Sequence, residues 1–111
     1  MLRIFMVALA IASLPAIGRA QDVNLSGAVR TVSLMDGIRF MCPDADKTQA
    51  LKMREAAADV AVRFWGRKRA DAAFRRETNR RMAEVKATGT VAWCSYQRSH
   101  QARLGSGVFR D

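Results

Sequence analysis

The chain of 111 residues is strongly basic, with 19 lysines and arginines against 10 aspartates and glutamates and a net charge of +9. A chain of this length forms one domain with a small core, which excludes multidomain architectures. Two cysteines and one histidine leave too few ligands for a zinc site built from cysteine and histidine, so we expect no metal and no cofactor.

The first twenty residues have the three-part plan of a secretory signal peptide. Arg3 supplies the positive charge, an apolar run extends from Ile4 to Ile17, and the small residues Gly18 and Ala20 precede a cleavage site. As a helix, this run would reach only ~21 Å across a membrane core of ~30 Å. We therefore expect residues 1–20 to be removed and the protein to be periplasmic or secreted, without a transmembrane segment in the mature chain.

The two cysteines are expected to form a disulfide after export. Removal of residues 1–20 takes two arginines away and leaves 91 residues with 17 basic and 10 acidic side chains, a net charge of +7. In an oxidising compartment, Cys42 and Cys94 would close a loop of 52 residues. The lower entropy of the unfolded chain would stabilise the fold by about 4 kcal/mol, a large share of the ~5–15 kcal/mol typical of whole domains.

The pattern of apolar residues becomes helical after an irregular lead-in over residues 21–28. From Val29 onward, Leu34, Ile38 and Met41 recur at the spacing of one helical face, with Cys42 beside them. Pro43 cannot continue the helix, so the chain turns there.

Capping residues and glycines indicate three further helices. Asp46 can cap a helix over residues 47–65, and Gln49 follows at the spacing of a capping box. We expect a break around Gly66, a third helix over about residues 70–87 that ends at Gly89, and a fourth helix capped by Thr90. The sequence therefore predicts an all-α, four-helix domain over residues 29–104, cross-linked by one disulfide, with a flexible tail over residues 105–111.

The second and third helices share a predicted apolar stripe. We expect the second helix to be the most buried of the domain, because apolar residues also occupy another of its faces. The stripe consists of Met53, Val60, Phe64, Phe74, Thr78, Met82 and Val85.

Basic residues crowd the segment on either side of the expected break. Three pairs at i, i+4 spacing would offset part of this charge: Asp71 with Arg75, Glu77 with Arg81, and Arg80 with Glu84. On a helical wheel, the basic residues do not form a single stripe. They spread around every face except the apolar one, as they would on a solvated helix surface. The candidate binding residues are Arg63, Arg67, Lys68, Arg69, Arg76 and Arg80.

These uncompensated cations favour binding over catalysis. No acid lies between residues 60 and 70, and the guanidinium fork binds phosphate and carboxylate groups bidentately. The expected partner is an anionic envelope polymer or lipid, or an acidic protein, and nucleic acid is a poorer candidate for an exported chain. The alternative, a solvated surface without a binding role, stays open.

No motif of nucleophilic, phosphate-binding or dinucleotide chemistry occurs in the sequence. The single histidine, His100, follows Cys94 by six residues, which places the two on different helical faces. Asp44 and Asp46 are better explained as capping residues than as a catalytic carboxylate pair. We therefore expect no enzyme and no catalytic residues.

The segment SLMDGIRFMCP, with VAWC further along the chain, resembles the periplasmic amidase-immunity proteins of type VI secretion. The matching residues are Gly37, Cys42, Pro43 and Cys94, within residues 33–94; a second cysteine pair common in that family is missing. The resemblance implies a small exported helical protein that inhibits a specific enzyme. The size and single wide disulfide also resemble periplasmic acid-stress chaperones, although their aromatic–x–Cys–acidic–aromatic signature is absent around Cys42. Both functions stay open as alternatives.

Overall fold

The computed structural model describes residues 26–109, which form four α-helices. Helix α1 spans 26–41, α2 spans Lys47–Trp65, α3 spans Arg67–Thr88 and α4 spans Thr90–Leu104. The predicted all-α, four-helix fold is confirmed. The predicted signal peptide and most of the lead-in lie outside the described residues, and residues 26–28 of the lead-in already belong to α1.

Single glycines separate the last three helices. Gly66 has φ 83° and Gly89 has φ 93°, backbone conformations that L-residues with a side chain rarely adopt, so each glycine ends one helix and begins the next. Gly89 thereby occupies the cap position of α4 that the sequence assigned to Thr90. At the start of α2, the Asp46 carboxylate accepts a hydrogen bond from the backbone N–H of Gln49 at 3.1 Å, as predicted.

Helix α1 contributes more large buried side chains to the core than any other helix. Its buried side chains include Val32, Met35 and Ile38, each at most 2% exposed. Helix α2, predicted to be the most buried, buries only three alanines: Ala50, Ala58 and Ala61. The prediction was wrong because it counted large apolar residues, whereas α2 approaches its neighbours through small ones.

The core is divided between the two ends of α1. At one end, which we call the disulfide end, the cluster includes most of the large buried residues and consists of Met35, Ile38, Cys42, Ala50, Val85, Trp93, Val108 and Phe109. At the other end, which we call the alanine end, the buried residues are Val29, Ala61, Ala70 and Ala73. Since the start of α3 packs near the start of α1 and its last turns pack near the end of α1, these two helices run in the same direction.

The predicted disulfide is formed. Cys42 follows the last turn of α1 and Cys94 lies in the first turns of α4, with their Cα atoms 5.6 Å apart. Cys42 is 1% exposed, so the cross-link lies in the core at the disulfide end. It ties the end of α1 to α4.

The segment after α4, predicted to be a flexible tail, packs into the core as far as the structure describes it. Val108 is fully buried, and its carbonyl accepts a hydrogen bond from the Asp46 amide at 2.6 Å. Phe109 forms an isolated antiparallel bridge with Ala45. The Gln49 side chain, expected in a capping box, instead donates to the Ser106 carbonyl at 3.0 Å. The tail therefore closes the turn between α1 and α2.

A close approach between α1 and α4 requires Gly37. A Cβ atom at this position would lie 3.1 Å from Cη2 of the buried Trp93 and 3.5 Å from Cγ of Arg81. The Trp93 indole N–H donates to the Glu84 carboxylate at 3.0 Å, and Arg81 pairs with the same carboxylate at 3.3 Å. Gly37 thus makes room for a tryptophan that α3 holds in place.

Replacement of Gly37 by leucine is expected to destabilise the fold by about 2 kcal/mol, because the new side chain overpacks against Trp93. Urea unfolding of the oxidised protein measures this loss. Gly27→Ala is the matched control, since a Cβ at Gly27 meets nothing within 4 Å. An unchanged unfolding midpoint for Gly37→Leu would contradict the packing described.

Replacement of Phe109 by alanine is expected to cost about 3 kcal/mol, because it empties a buried aromatic site. Phe109 is 9% exposed, whereas Leu104 is 64% exposed, so Leu104→Ala should change the stability by no more than about 0.5 kcal/mol. Thermal unfolding of both variants compares the two sites. Equal, small effects would show that the segment after α4 is a free tail.

Candidate anion-binding surface

Four of the predicted binding residues meet where α2 ends and α3 begins. Arg63 lies in the last turn of α2, and Arg67, Lys68 and Arg69 occupy the first turn of α3. All four are exposed, and the single linker residue Gly66 holds them close together. We call Arg63, Arg67 and Lys68 the basic corner.

Two residues of the basic corner, Arg67 and Lys68, lie at an unfavourable position for cations, whereas Arg63 lies in the last turn of α2, where the helix dipole favours a cation. The first turn of α3 contains no acidic residue, and no side chain caps its backbone amides. Because a helix N-terminus carries partial positive charge, each cation there costs a few tenths of a kcal/mol. Within residues 26–109, no carboxylate forms an ion pair with Arg63, Arg67 or Lys68. The corner therefore concentrates a positive field at the surface.

The remaining predicted residues, Arg69, Arg76 and Arg80, lie along one side of α3. At 100° per residue, their directions fall within about 40° of one another. These three therefore form an arginine stripe on α3, although the basic residues of the segment as a whole were expected not to form a single stripe. The guanidinium of Arg69 stacks on the ring of Trp65, 5.1 Å from its centroid, which fixes one end of the stripe.

Arg76 and Arg80 line a groove between α1 and α3, which we call the α1–α3 groove. Its volume is about 510 Å³. Helix α1 contributes Arg30 to the opposite wall, and the half-buried Trp65 contributes from the end of α2. The complete lining is Ser26, Val29, Arg30, Trp65, Ala73, Arg76, Glu77 and Arg80.

Arg30 is the residue that sequence reasoning missed. It lies in the second turn of α1, far in sequence from the basic segment, and only the packing of α1 beside α3 brings it to the groove. No pattern in the sequence could have identified it, because its position in the groove depends on tertiary structure.

The ion pairs of α3 differ from those predicted. Arg80 pairs with Glu77 at 2.9 Å and Arg81 with Glu84 at 3.3 Å, both at i, i+3 spacing, and the structure shows no Asp71–Arg75 pair. The side chain of Arg81 is only 12% exposed, since it packs beneath α1 beside Trp93. Glu77 therefore compensates one groove arginine, whereas Arg30 and Arg76 have no carboxylate partner among the described residues.

Two apolar residues beside the basic corner are exposed. Val60 and Phe64 are 42% and 63% exposed, one helical turn apart on α2, although the sequence predicted both in the apolar stripe. Phe74, from the same stripe, does pack against the alanine end. The prediction was wrong for Val60 and Phe64 because the alanines of α2 form its buried face.

Two smaller openings lie elsewhere on the surface. One, of about 350 Å³, adjoins the disulfide and includes Arg98, which pairs with Asp44. The other, of about 300 Å³, lies beside the exposed Phe40 and includes Arg39, which pairs with Asp36 at 3.0 Å. Neither brings together two unpaired guanidinium groups, so the α1–α3 groove is the stronger candidate for an anion.

The side chains that could act in catalysis or bind a metal make contacts within the fold. Asp46 caps α2, and His100 stacks on Tyr96 with ring centroids 5.9 Å apart. Both cysteines are in the disulfide. In the part of the chain that the structure describes, no three His, Cys, Asp or Glu side chains are grouped to hold a metal ion, and no helix has the length and hydrophobicity to cross a membrane.

A comparison of the chain with protein-family models, curated proteins and solved structures finds no match.

Proposed function

We propose that this protein is an exported binding protein without catalytic activity. Its basic surface engages an anionic component of the cell envelope. The observation that carries the proposal is the basic corner, where three exposed cations without carboxylate partners surround the start of α3. Arg69, Arg76 and Arg80 extend the same positive surface along α3.

The electrostatic cost of Arg67 and Lys68 at the start of α3 supports a binding role. A surface that serves only solubility has no need to place cations at a helix N-terminus, where the helix dipole opposes them. A bound anion would be attracted both to the positive end of the α3 dipole and to the cations of the corner. It would also accept hydrogen bonds from free backbone amides of α3. Binding would thus relieve a local repulsion.

Export determines which anions the surface would meet. The disulfide supports an oxidising compartment, where envelope polymers and lipid headgroups are abundant and nucleic acid is rare. We therefore favour an anionic envelope polymer or lipid over a nucleic acid. An acidic protein surface would satisfy the same charges.

A second candidate function is inhibition of a specific enzyme, as in the amidase-immunity proteins that the sequence resembles. The exposed pair Val60 and Phe64 beside the basic corner favours it, because protein interfaces combine an aromatic anchor with surrounding polar groups. Such a complex would survive high salt, since buried apolar area is not screened by ions. Broad binding through the basic corner would be lost as the salt concentration rises.

Neutralisation of the corner by Arg67→Gln and Lys68→Gln is expected to weaken retention of envelope material roughly tenfold at low salt. Each cation near an anionic surface contributes about 1 kcal/mol, so two together exceed the 1.4 kcal/mol that corresponds to tenfold. A pull-down from envelope extract with the immobilised, oxidised protein measures the effect.

The matched control is the double variant Arg75→Gln and Arg103→Gln, which removes two exposed cations away from the corner and should retain the material. If the corner variant and the wild type retained the same anionic material at low salt, the proposal would be wrong. A single protein retained at high salt by both would favour the inhibitor function instead.

A further inference from the structure

The lining of the α1–α3 groove includes one small residue from each of the two helices. Ser26 on α1 and Ala73 on α3 face the space, which a pair of large apolar side chains would otherwise fill. At the disulfide end of the same helices, residues such as Met35 and Ile38 occupy the corresponding space between the helices. The groove thus lies at the end of α1 where the buried residues of the neighbouring helices are alanines.

The groove carries unbalanced positive charge on both walls. Arg30 projects from α1 and Arg76 from α3, and neither has a carboxylate partner among the described residues. Arg80 is also positive but is held by Glu77, which lies in the groove as its one acid. Like charges on facing walls repel, so an anion between them would be bound by both helices at once.

The arrangement of these arginines defines the kind of anion. Guanidinium groups from two separate helices are best satisfied by a ligand with at least two oxyanionic groups, each accepting a bidentate pair of hydrogen bonds. The uncharged residues of the lining are the polar Ser26 and three apolar residues, Val29, Trp65 and Ala73, which would contact the uncharged part of the ligand. A space between two helices admits a slender chain and excludes a flat bilayer surface.

We propose that the α1–α3 groove is a binding site for a slender oligoanion with phosphate or carboxylate groups. Arg30 and Arg76 are its principal ligands, and Trp65 is its apolar wall. This inference rests on the proposed function, because it specifies where on the protein the anionic envelope component binds and which chemical groups it carries.

The test is titration calorimetry of the full chain, expressed for export and purified with the disulfide formed. Tripolyphosphate and tricarballylate, each with three anionic groups, are compared with inorganic phosphate and acetate at one ionic strength. We expect an oligoanion to bind at least about tenfold more tightly than its single-group counterpart, since each charged hydrogen-bond pair contributes roughly that factor. Selectivity for tripolyphosphate would identify a phosphate-bearing ligand, and selectivity for tricarballylate a carboxylate-bearing ligand.

Two double variants locate the binding. Arg30→Gln with Arg76→Gln is expected to weaken oligoanion binding about tenfold or more, because it removes both unpaired guanidinium groups. Arg75→Gln with Arg103→Gln removes the same charge outside the groove and is expected to change binding less than about twofold. Equal binding by both variants would overturn the inference.

Tryptophan fluorescence gives a second readout that does not depend on the arginine variants. Trp65 lines the groove, whereas Trp93 is 2% exposed at the other end of α1, so an oligoanion should alter the emission of Trp65 alone. The change should disappear in Trp65→Phe. An emission change that persists in that variant, or none in the wild type, would overturn the inference.

Failure of this inference can be distinguished from failure of the proposed function. If Arg67→Gln with Lys68→Gln loses envelope material while Arg30→Gln with Arg76→Gln binds oligoanions normally, the corner is the working surface and the groove is not. If neither variant loses envelope material or oligoanion binding, both proposals are overturned.

Discussion

The cross-link between Cys42 and Cys94 is the constraint on which the rest of the fold depends. It fixes the end of α1 to α4 at the point where Trp93, Val108 and Phe109 complete the core. A domain this small buries little apolar surface, so a bond that restricts the unfolded chain supplies a large share of its stability. The docked tail adds to this end by closing the turn before α2. Most of the stabilising contacts therefore lie at one end of α1.

The other end of α1 packs mainly against alanines of α2 and α3. Alanines let α2 and α3 approach α1 closely, but they fill little volume, and the α1–α3 groove remains open beside them. The same end carries the basic corner and the arginine stripe of α3. Stability and the proposed binding are thus separated along one helix. Substitution of Arg30 or Arg76 should therefore affect affinity with little effect on folding, because both are exposed and their guanidinium groups make no ion pairs among the described residues.

Local sequence signals predicted the helices well, and the two cysteines in a chain expected to be exported predicted the disulfide. Gly66, Gly89, Pro43 and Asp46 act through backbone conformation and capping, which depend on neighbouring residues alone. The features that sequence reasoning missed depend on contacts between distant segments. The tail was expected to be flexible because its bridge to Ala45 cannot be read from its glycines. The burial of α2 was overestimated because its large apolar residues, such as Val60 and Phe64, were counted as buried, whereas alanines form its buried face. The candidate site was predicted in part, since the run of cations on α3 was visible, but Arg30 enters it only through the packing of α1.

Hydrogen exchange with and without tripolyphosphate tests most directly the claim that stability and binding occupy opposite ends of α1. Without the ligand, the amides around Ile38, Trp93 and Val108 should exchange most slowly, because they lie in the core cluster that contains the disulfide. With the ligand, the account predicts slower exchange over residues 26–31 and 65–80 and unchanged exchange in α4. Slower exchange confined to α4 and the tail, or no change anywhere in the protein, would contradict it.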